Sequence, residues 1–142
     1  MVRQGVRRTT AVLAVAVALV AAGCAGDDEE PAAPTPSVGA DQTVEISMVD
    51  LAFRPAEVTV RAGTTVRFVF TNDGRIVHDA TFGDEAHQQD VESGRARRDG
   101  VVVDPNKTRD YLRTFTAPAS LVIGCHQAGH YESGMKIRLT VQ

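Results

Sequence analysis

The chain has 142 residues, of which 15 are lysine or arginine and 18 are aspartate or glutamate, and its formal net charge at pH 7 is −3. Proteins that bind nucleic acid usually present a basic face, and this charge balance predicts no nucleic-acid partner. The length suits a single domain with a hydrophobic core of its own.

Residues 1–23 have the composition of an export signal. Arginines precede an apolar run over residues 11–22, and this part of the chain contains no acidic residue. The run is shorter than the roughly 20 residues that a transmembrane helix needs, so we interpret it as a secretory signal. The sequence LVAAGC over residues 19–24 resembles a bacterial lipobox, which predicts cleavage before Cys24 and lipid attachment to it. A plain signal peptide with an incidental cysteine is the alternative.

Residues 24–42 have the composition of a linker. They contain the acidic run DDEE and several prolines among alanines, without a pattern of apolar residues that could form a core. Such segments remain extended and solvated. We therefore predict an exported protein, tethered by this segment to a lipid anchor on the outer face or periplasmic side of the cell membrane.

From residue 43 onward, apolar and polar residues alternate. A period of two residues is typical of strands that bury one face, and turn sequences rich in Gly, Pro, Asn and Asp separate the alternating segments. The pattern predicts an all-β domain over residues 43–142, a β-sandwich of about seven to eight strands. The clearest alternating sets are Val44-Ile46-Met48, Val58-Val60, Val66-Phe68-Phe70 and Ile137-Leu139-Val141.

Residues 83–100 interrupt this alternation, because they are rich in charged and amide side chains. We interpret them as an exposed excursion between strands, which either holds a short helix around residues 84–92 or is mobile. His87 lies in this excursion and is expected to be solvated. Met48, which alternates with Val44 and Ile46, is expected in the core.

Potential metal ligands are concentrated near the carboxyl end of the chain. Cys125, His130 and Met135 are spaced five residues apart, and His78 lies upstream on a predicted strand. Two imidazoles, a thiolate and a weak axial thioether are the ligands of a blue-copper centre, whereas zinc sites rarely contain methionine. If Cys24 carries a lipid, Cys125 has no disulfide partner, and a free thiol in an oxidising compartment is explained by metal ligation. We therefore predict one copper ion per chain.

These residues resemble the cupredoxins, the small blue copper proteins similar to plastocyanin and azurin, over residues 43–142. The order of Cys125, His130 and Met135 on one loop carries the resemblance, and the sequence FRP at residues 53–55 supports it. The resemblance implies a Greek-key sandwich. It also implies that His78 and His130 are the imidazole ligands, that Cys125 is the thiolate ligand and that Met135 is a long axial ligand.

Each ligand assignment has a plainer alternative. Cys125 could be a buried structural thiol, Met135 a core side chain and His78 a core histidine. His126 is expected outside the coordination sphere, because adjacent loop residues seldom both reach one metal ion.

Two positions depart from the better-known cupredoxins. Asp79 follows the first histidine, where asparagine is common; a carboxylate near copper favours Cu(II), so we expect a modest reduction potential. Gly124 precedes the cysteine, where an aromatic residue is common. This difference leaves the edge of His130 as the expected path for electrons.

The sequence therefore predicts a non-enzymatic, one-electron carrier that cycles between Cu(II) and Cu(I). Its expected partner is a redox protein, namely a cytochrome, an oxidase or a reductase, and we expect a monomer. Four histidines are too few for the copper clusters of multicopper oxidases. Copper handling or delivery without electron transfer is the alternative function.

Overall fold

The structure is a computed structural model that describes residues 39–142. The predicted signal peptide over residues 1–23, the predicted lipid site Cys24 and most of the predicted tether lie outside the described residues. Within residues 39–142, no helix is both long enough and apolar enough to span a membrane.

Nine strands and one helix make up the described residues. In chain order they are β1 (Gln42–Val49), β2 (Ala52–Arg54), β3 (Glu57–Val60), β4 (Thr64–Asn72), β5 (His78–Gly83), α1 (Glu85–Glu92), β6 (Gly100–Val103), β7 (Thr108–Phe115), β8 (Ala119–Gly124) and β9 (Lys136–Val141).

The strands form two mixed sheets, one with the order β2-β1-β4-β7 and the other with the order β3-β9-β8-β5-β6. β1 pairs in parallel with β4, and β3 pairs in parallel with β9, whereas the other pairs are antiparallel. Apolar side chains from both sheets form one core, so the predicted all-β sandwich is confirmed. There are nine strands rather than seven to eight, because the segment around Pro55 contains two short strands that belong to different sheets.

The alternating residues face the core, as their period predicts. In β9 every second residue is buried, and Met48 of β1 is fully buried, which confirms its expected place in the core. Phe68 of β4 meets Phe82 of β5 edge to face, with 4.9 Å between ring centroids. Because β4 and β5 belong to different sheets, this aromatic pair joins the two layers of the sandwich.

The charged excursion contains a helix, which confirms one of its two predicted forms. The side chain of Asp84 accepts a hydrogen bond from the backbone N–H of His87 and caps the first turn of α1. The excursion is not wholly exposed, because Gln88 and Val91 are buried. His87 is half-buried rather than solvated, and its ring packs where a side chain at Gly83 would otherwise lie.

Candidate metal centre

Three neighbouring strands bring the predicted ligands to one end of the second sheet. His78 is the first residue of β5, Cys125 directly follows β8, and Met135 directly precedes β9. Strand pairing places Gly124 of β8 opposite Thr81 of β5 and Lys136 of β9. The loop over residues 125–135 therefore begins and ends on the paired strands β8 and β9, and β8 is the neighbour of β5.

His78, Cys125 and His130 form a buried cluster at this end. The three residues each offer a ligand atom, and these atoms lie within 4.8 Å of one another. The Sγ atom of Cys125 is 3.8 Å from Nδ1 of His78 and 3.3 Å from Nδ1 of His130. One thiol and two imidazoles that converge in this way fit a single copper ion with one sulfur and two nitrogen donors.

Met135 is fully buried beside the cluster. Its carbonyl oxygen accepts a hydrogen bond from Cys125 N at 3.1 Å, and its own N–H donates to His130 O at 3.0 Å. Its backbone is therefore tied to two of the three clustered residues. This position is compatible with both predicted roles of its side chain, an axial ligand and a core residue.

The loop that carries these residues is held by internal hydrogen bonds. Gly129 has a φ of 78° and Gly134 a φ of 90°, in the left-handed region that glycine adopts without strain. His130 N donates to Gln127 O, and Gly134 N donates to Tyr131 O. The loop is thus a series of tight turns that holds His130 in place.

Burial shifts the pKa values of Cys125 and His78. It raises the pKa of the Cys125 thiol, although hydrogen bonds from the backbone N–H groups of Asp79 and Gln127 act in the opposite direction. Burial also lowers the pKa of His78, as does the neighbouring His130, while Asp50 opposes the shift. A neutral imidazole keeps a lone pair available for a metal ion, whereas the thiol must lose its proton when it becomes a ligand.

Asp79 lies directly behind Cys125. Its backbone N–H points at Sγ at 3.4 Å, and its side chain is 1% exposed. The carboxylate accepts hydrogen bonds from Thr81 Oγ1 at 3.0 Å, from His126 N at 3.1 Å and from Gln127 Nε2 at 3.2 Å. Arg98 Nη1 lies 3.4 Å from Oδ2. A buried carboxylate thus connects β5 to the ligand loop.

His126 is not part of the three-residue cluster. Its ring nitrogens contact Gln88 Oε1 and Glu92 Oε2, each at 2.6 Å, and its ring stacks on Tyr131 with 4.8 Å between centroids. The structure therefore directs this side chain toward α1.

Sequence reasoning missed the residues that support the cluster from elsewhere in the chain. On one side, Nε2 of His78 is buried without a hydrogen bond, 3.9 Å from Asp50 Oδ1. On the other side, Gln88 and Glu92 contact His126. No sequence signal marked Asp50, Gln88 or Glu92. Isolated polar residues in loops and in a polar helix have no period that would reveal long-range contacts.

A β-sandwich that brings two histidines and a cysteine together in this way defines the class of small copper-binding sandwich proteins. The family model described as "Cupredoxin-like domain" matches residues 11–111, and the chain belongs to this family. The cofactor is therefore copper. The matched range includes His78 and ends before the loop with Cys125 and His130.

Similar proteins include the copper-resistant cuproprotein CopI of Pseudomonas aeruginosa, 30% identical over 77% of this chain and 81% of the relative. CopI of Rubrivivax gelatinosus is 36% identical over 77% of this chain and 72% of the relative. Among solved structures, dithionite-reduced auracyanin of Roseiflexus castenholzii aligns with a TM-score of 0.64 at 26% identity, over 73% of this chain and 99% of auracyanin. Auracyanin A of Chloroflexus aurantiacus, described as a "blue" copper protein, aligns with a TM-score of 0.60 at 26% identity, over 70% of this chain and 98% of its own.

Proposed function

We propose that this protein carries single electrons through one copper ion held by His78, Cys125, His130 and Met135. The observation that carries the proposal is the buried convergence of two imidazole nitrogens and one sulfur within 4.8 Å. The similarity to auracyanins, one of them described as a blue copper protein, supports it. The family and the relatives' names also favour a non-enzymatic role in an exported protein.

Copper bound at this site would supply one-electron chemistry by alternating between Cu(II) and Cu(I). The protein's contribution is to hold the donors still. His78 is fixed by β5, while the ends of the ligand loop are fixed by β8 and β9, so the donor positions depend little on the oxidation state. Burial of the donors excludes water from the site. His130, which is 8% exposed, is the proposed path for electrons.

Copper handling is the second candidate function. It is favoured by the two relatives that are named as copper-resistant cuproproteins. A handling protein must release its ion to a partner, whereas an electron carrier must retain the ion through many cycles. Retention of copper during redox cycling therefore distinguishes the two functions.

The test loads the protein with one equivalent of Cu(II) and follows the visible spectrum through cycles of ascorbate reduction and reoxidation, with a Cu(I) chelator present. An electron carrier is expected to show an intense band that bleaches and returns with its copper retained. Weak colour, together with transfer of copper to the chelator on reduction, would contradict electron transfer and favour copper handling.

We further propose that the protein works as a lipid-anchored monomer that exchanges electrons with a cytochrome, an oxidase or a reductase.

In the producing bacterium, Cys24→Ser is expected to move the protein from the membrane fraction to the soluble fraction, because the acyl chains have no attachment site. Cys125→Ser is the matched control and should stay with the membrane. Immunoblots of the two fractions measure both. Membrane retention of Cys24→Ser would contradict the anchor.

A further inference from the structure

We propose that the polar excursion between β5 and β6 is a positioning device for the copper site, and that Gln88, Glu92 and Arg98 act on Cys125 by holding His126. We call these three residues the His126 clasp. The inference deepens the proposed function, since it rests on Cys125 as a copper ligand.

Every hydrogen-bonding group of His126 has a partner outside the ligand loop. The clasp supplies three of these partners. Gln88 Oε1 and Glu92 Oε2 contact the two ring nitrogens at 2.6 Å, and Arg98 Nη2 donates to the backbone carbonyl of His126 at 2.5 Å. The backbone N–H donates to the carboxylate of Asp79. Because His126 directly follows Cys125, this set of contacts holds the peptide bond between the two residues in place.

Gln88 is itself held rigidly by the second sheet. Its Nε2 donates to Thr81 O of β5 at 3.0 Å and to Val122 O of β8 at 2.9 Å. With both amide hydrogens directed at carbonyl groups, the amide oxygen must face His126, and Nε2 of that ring must donate to it. Gln88 is fully buried, so each of these bonds forms away from competing water.

α1 also holds the second histidine of the cluster through its neighbour. Tyr131 follows His130, its ring stacks on His126, and its hydroxyl donates to Glu85 Oε1 at 3.1 Å. One short helix thus contacts the residue after Cys125 and the residue after His130. Cys125 and His130 are therefore each followed directly in the chain by a residue whose side chain contacts α1.

Gly124 makes room for this arrangement. A Cβ atom at this position would lie 2.7 Å from Gln88 Oε1 and 2.7 Å from Cε2 of Tyr131. Such distances are too short for non-bonded atoms, so any larger residue would displace the amide or the ring. This explains why position 124 is glycine, where an aromatic residue is common in the better-known cupredoxins. The space beside Cys125 is occupied by Tyr131 and by Gln88 of the clasp.

The main test compares Gln88→Met with Gln89→Met in the full copper-loaded chain. Methionine is close to glutamine in volume, but it offers His126 no amide oxygen and the two carbonyl groups no donor. Gln89 is the exposed next residue and serves as the matched control. The readouts are the visible and EPR spectra of the Cu(II) form, and the rate at which excess chelator removes copper.

We expect Gln88→Met to shift the spectrum and to speed copper removal about tenfold, since changes to residues that orient a ligand weaken metal binding by roughly 10- to 100-fold and the clasp acts through one further residue. Gln89→Met should match the wild type. Glu92, which is partly exposed, provides a second pair of variants that should fold normally. Glu92→Ala should shift the spectrum in the same direction. Glu92→Gln, which keeps a hydrogen-bonding group opposite Nδ1, should give the wild-type spectrum.

The inference is overturned if Gln88→Met and Glu92→Ala lower the melting temperature but keep the wild-type spectrum and the wild-type rate of copper removal. α1 would then be a structural support only. The proposed function fails separately, if the wild-type protein binds copper without an intense band. The removal rates of the variants would still decide the clasp in that case.

Discussion

Replacing Cys125 with serine is expected to abolish the intense visible absorption of the copper-loaded protein. This band requires a thiolate bound to Cu(II), and a serine hydroxyl is a hard donor that does not lose its proton at neutral pH. The affinity for Cu(I) should fall by at least about 100-fold. Loss of a residue that only orients a ligand lowers metal affinity by up to about 100-fold, and loss of the ligand itself should cost at least as much. Visible spectroscopy and a competitive Cu(I) titration measure the two effects.

Cys24→Ser is the matched control for this prediction, because it is the same substitution at the other cysteine of the chain. Its spectrum and copper affinity should equal those of the wild type. The apo form of Cys125→Ser should unfold cooperatively, since the hydroxyl can still accept the hydrogen bond that Asp79 N donates to Sγ in the wild type. An intense band that survives in Cys125→Ser would show that another residue supplies the coloured ligand.

The layers of the fold could be predicted because burial on one face of a strand leaves a period of two in the sequence. This was enough for β1 and β9, where alternation runs over six residues, and for β4, where Val66, Phe68 and Phe70 alternate before Val69 interrupts the period. It was not enough for β2, whose three residues are too few to establish a period. Near Pro55 the chain passes from one sheet to the other, because β2 pairs with β1 and β3 pairs with β9. This change of sheet depends on long-range pairing.

The candidate copper ligands could be proposed from the sequence because their chemistry is local. A cysteine, a histidine and a methionine on one short loop are enough to indicate a class of metal site from the order of the residues alone. The support for that loop could not be predicted in this way. Gln88 and Glu92 are 38 and 34 residues from His126, and nothing in a polar helix indicates which of its side chains will be buried. Such contacts follow from the packing of α1 on β5 and β8.

Asp79 is the one supporting residue that the sequence identified, and its contacts sharpen the expected effect of changing it. Asp79→Asn is expected to raise the reduction potential by about 60 mV, equal to a tenfold change in a one-electron equilibrium. The physical reason is the loss of a buried negative charge beside the thiolate of Cys125, which favours Cu(II) in the wild type. The backbone N–H that reaches Sγ is unchanged by the substitution, so the visible band should persist. Protein-film voltammetry measures the shift.

The same substitution should destabilise the protein by about 1–3 kcal/mol, because the four groups around the carboxylate all present hydrogen atoms to it. An asparagine NH2 placed toward Gln127 Nε2 and Arg98 would face donors on both sides, and Arg98 would lose its buried countercharge. Asp110→Asn is the matched control: this residue pairs with Arg67 on the other sheet and is half-exposed. Its potential should be unchanged and its stability altered by less than about 1 kcal/mol. An unchanged or lower potential in Asp79→Asn, with the visible band intact, would show that the Asp79 charge does not act on the copper site.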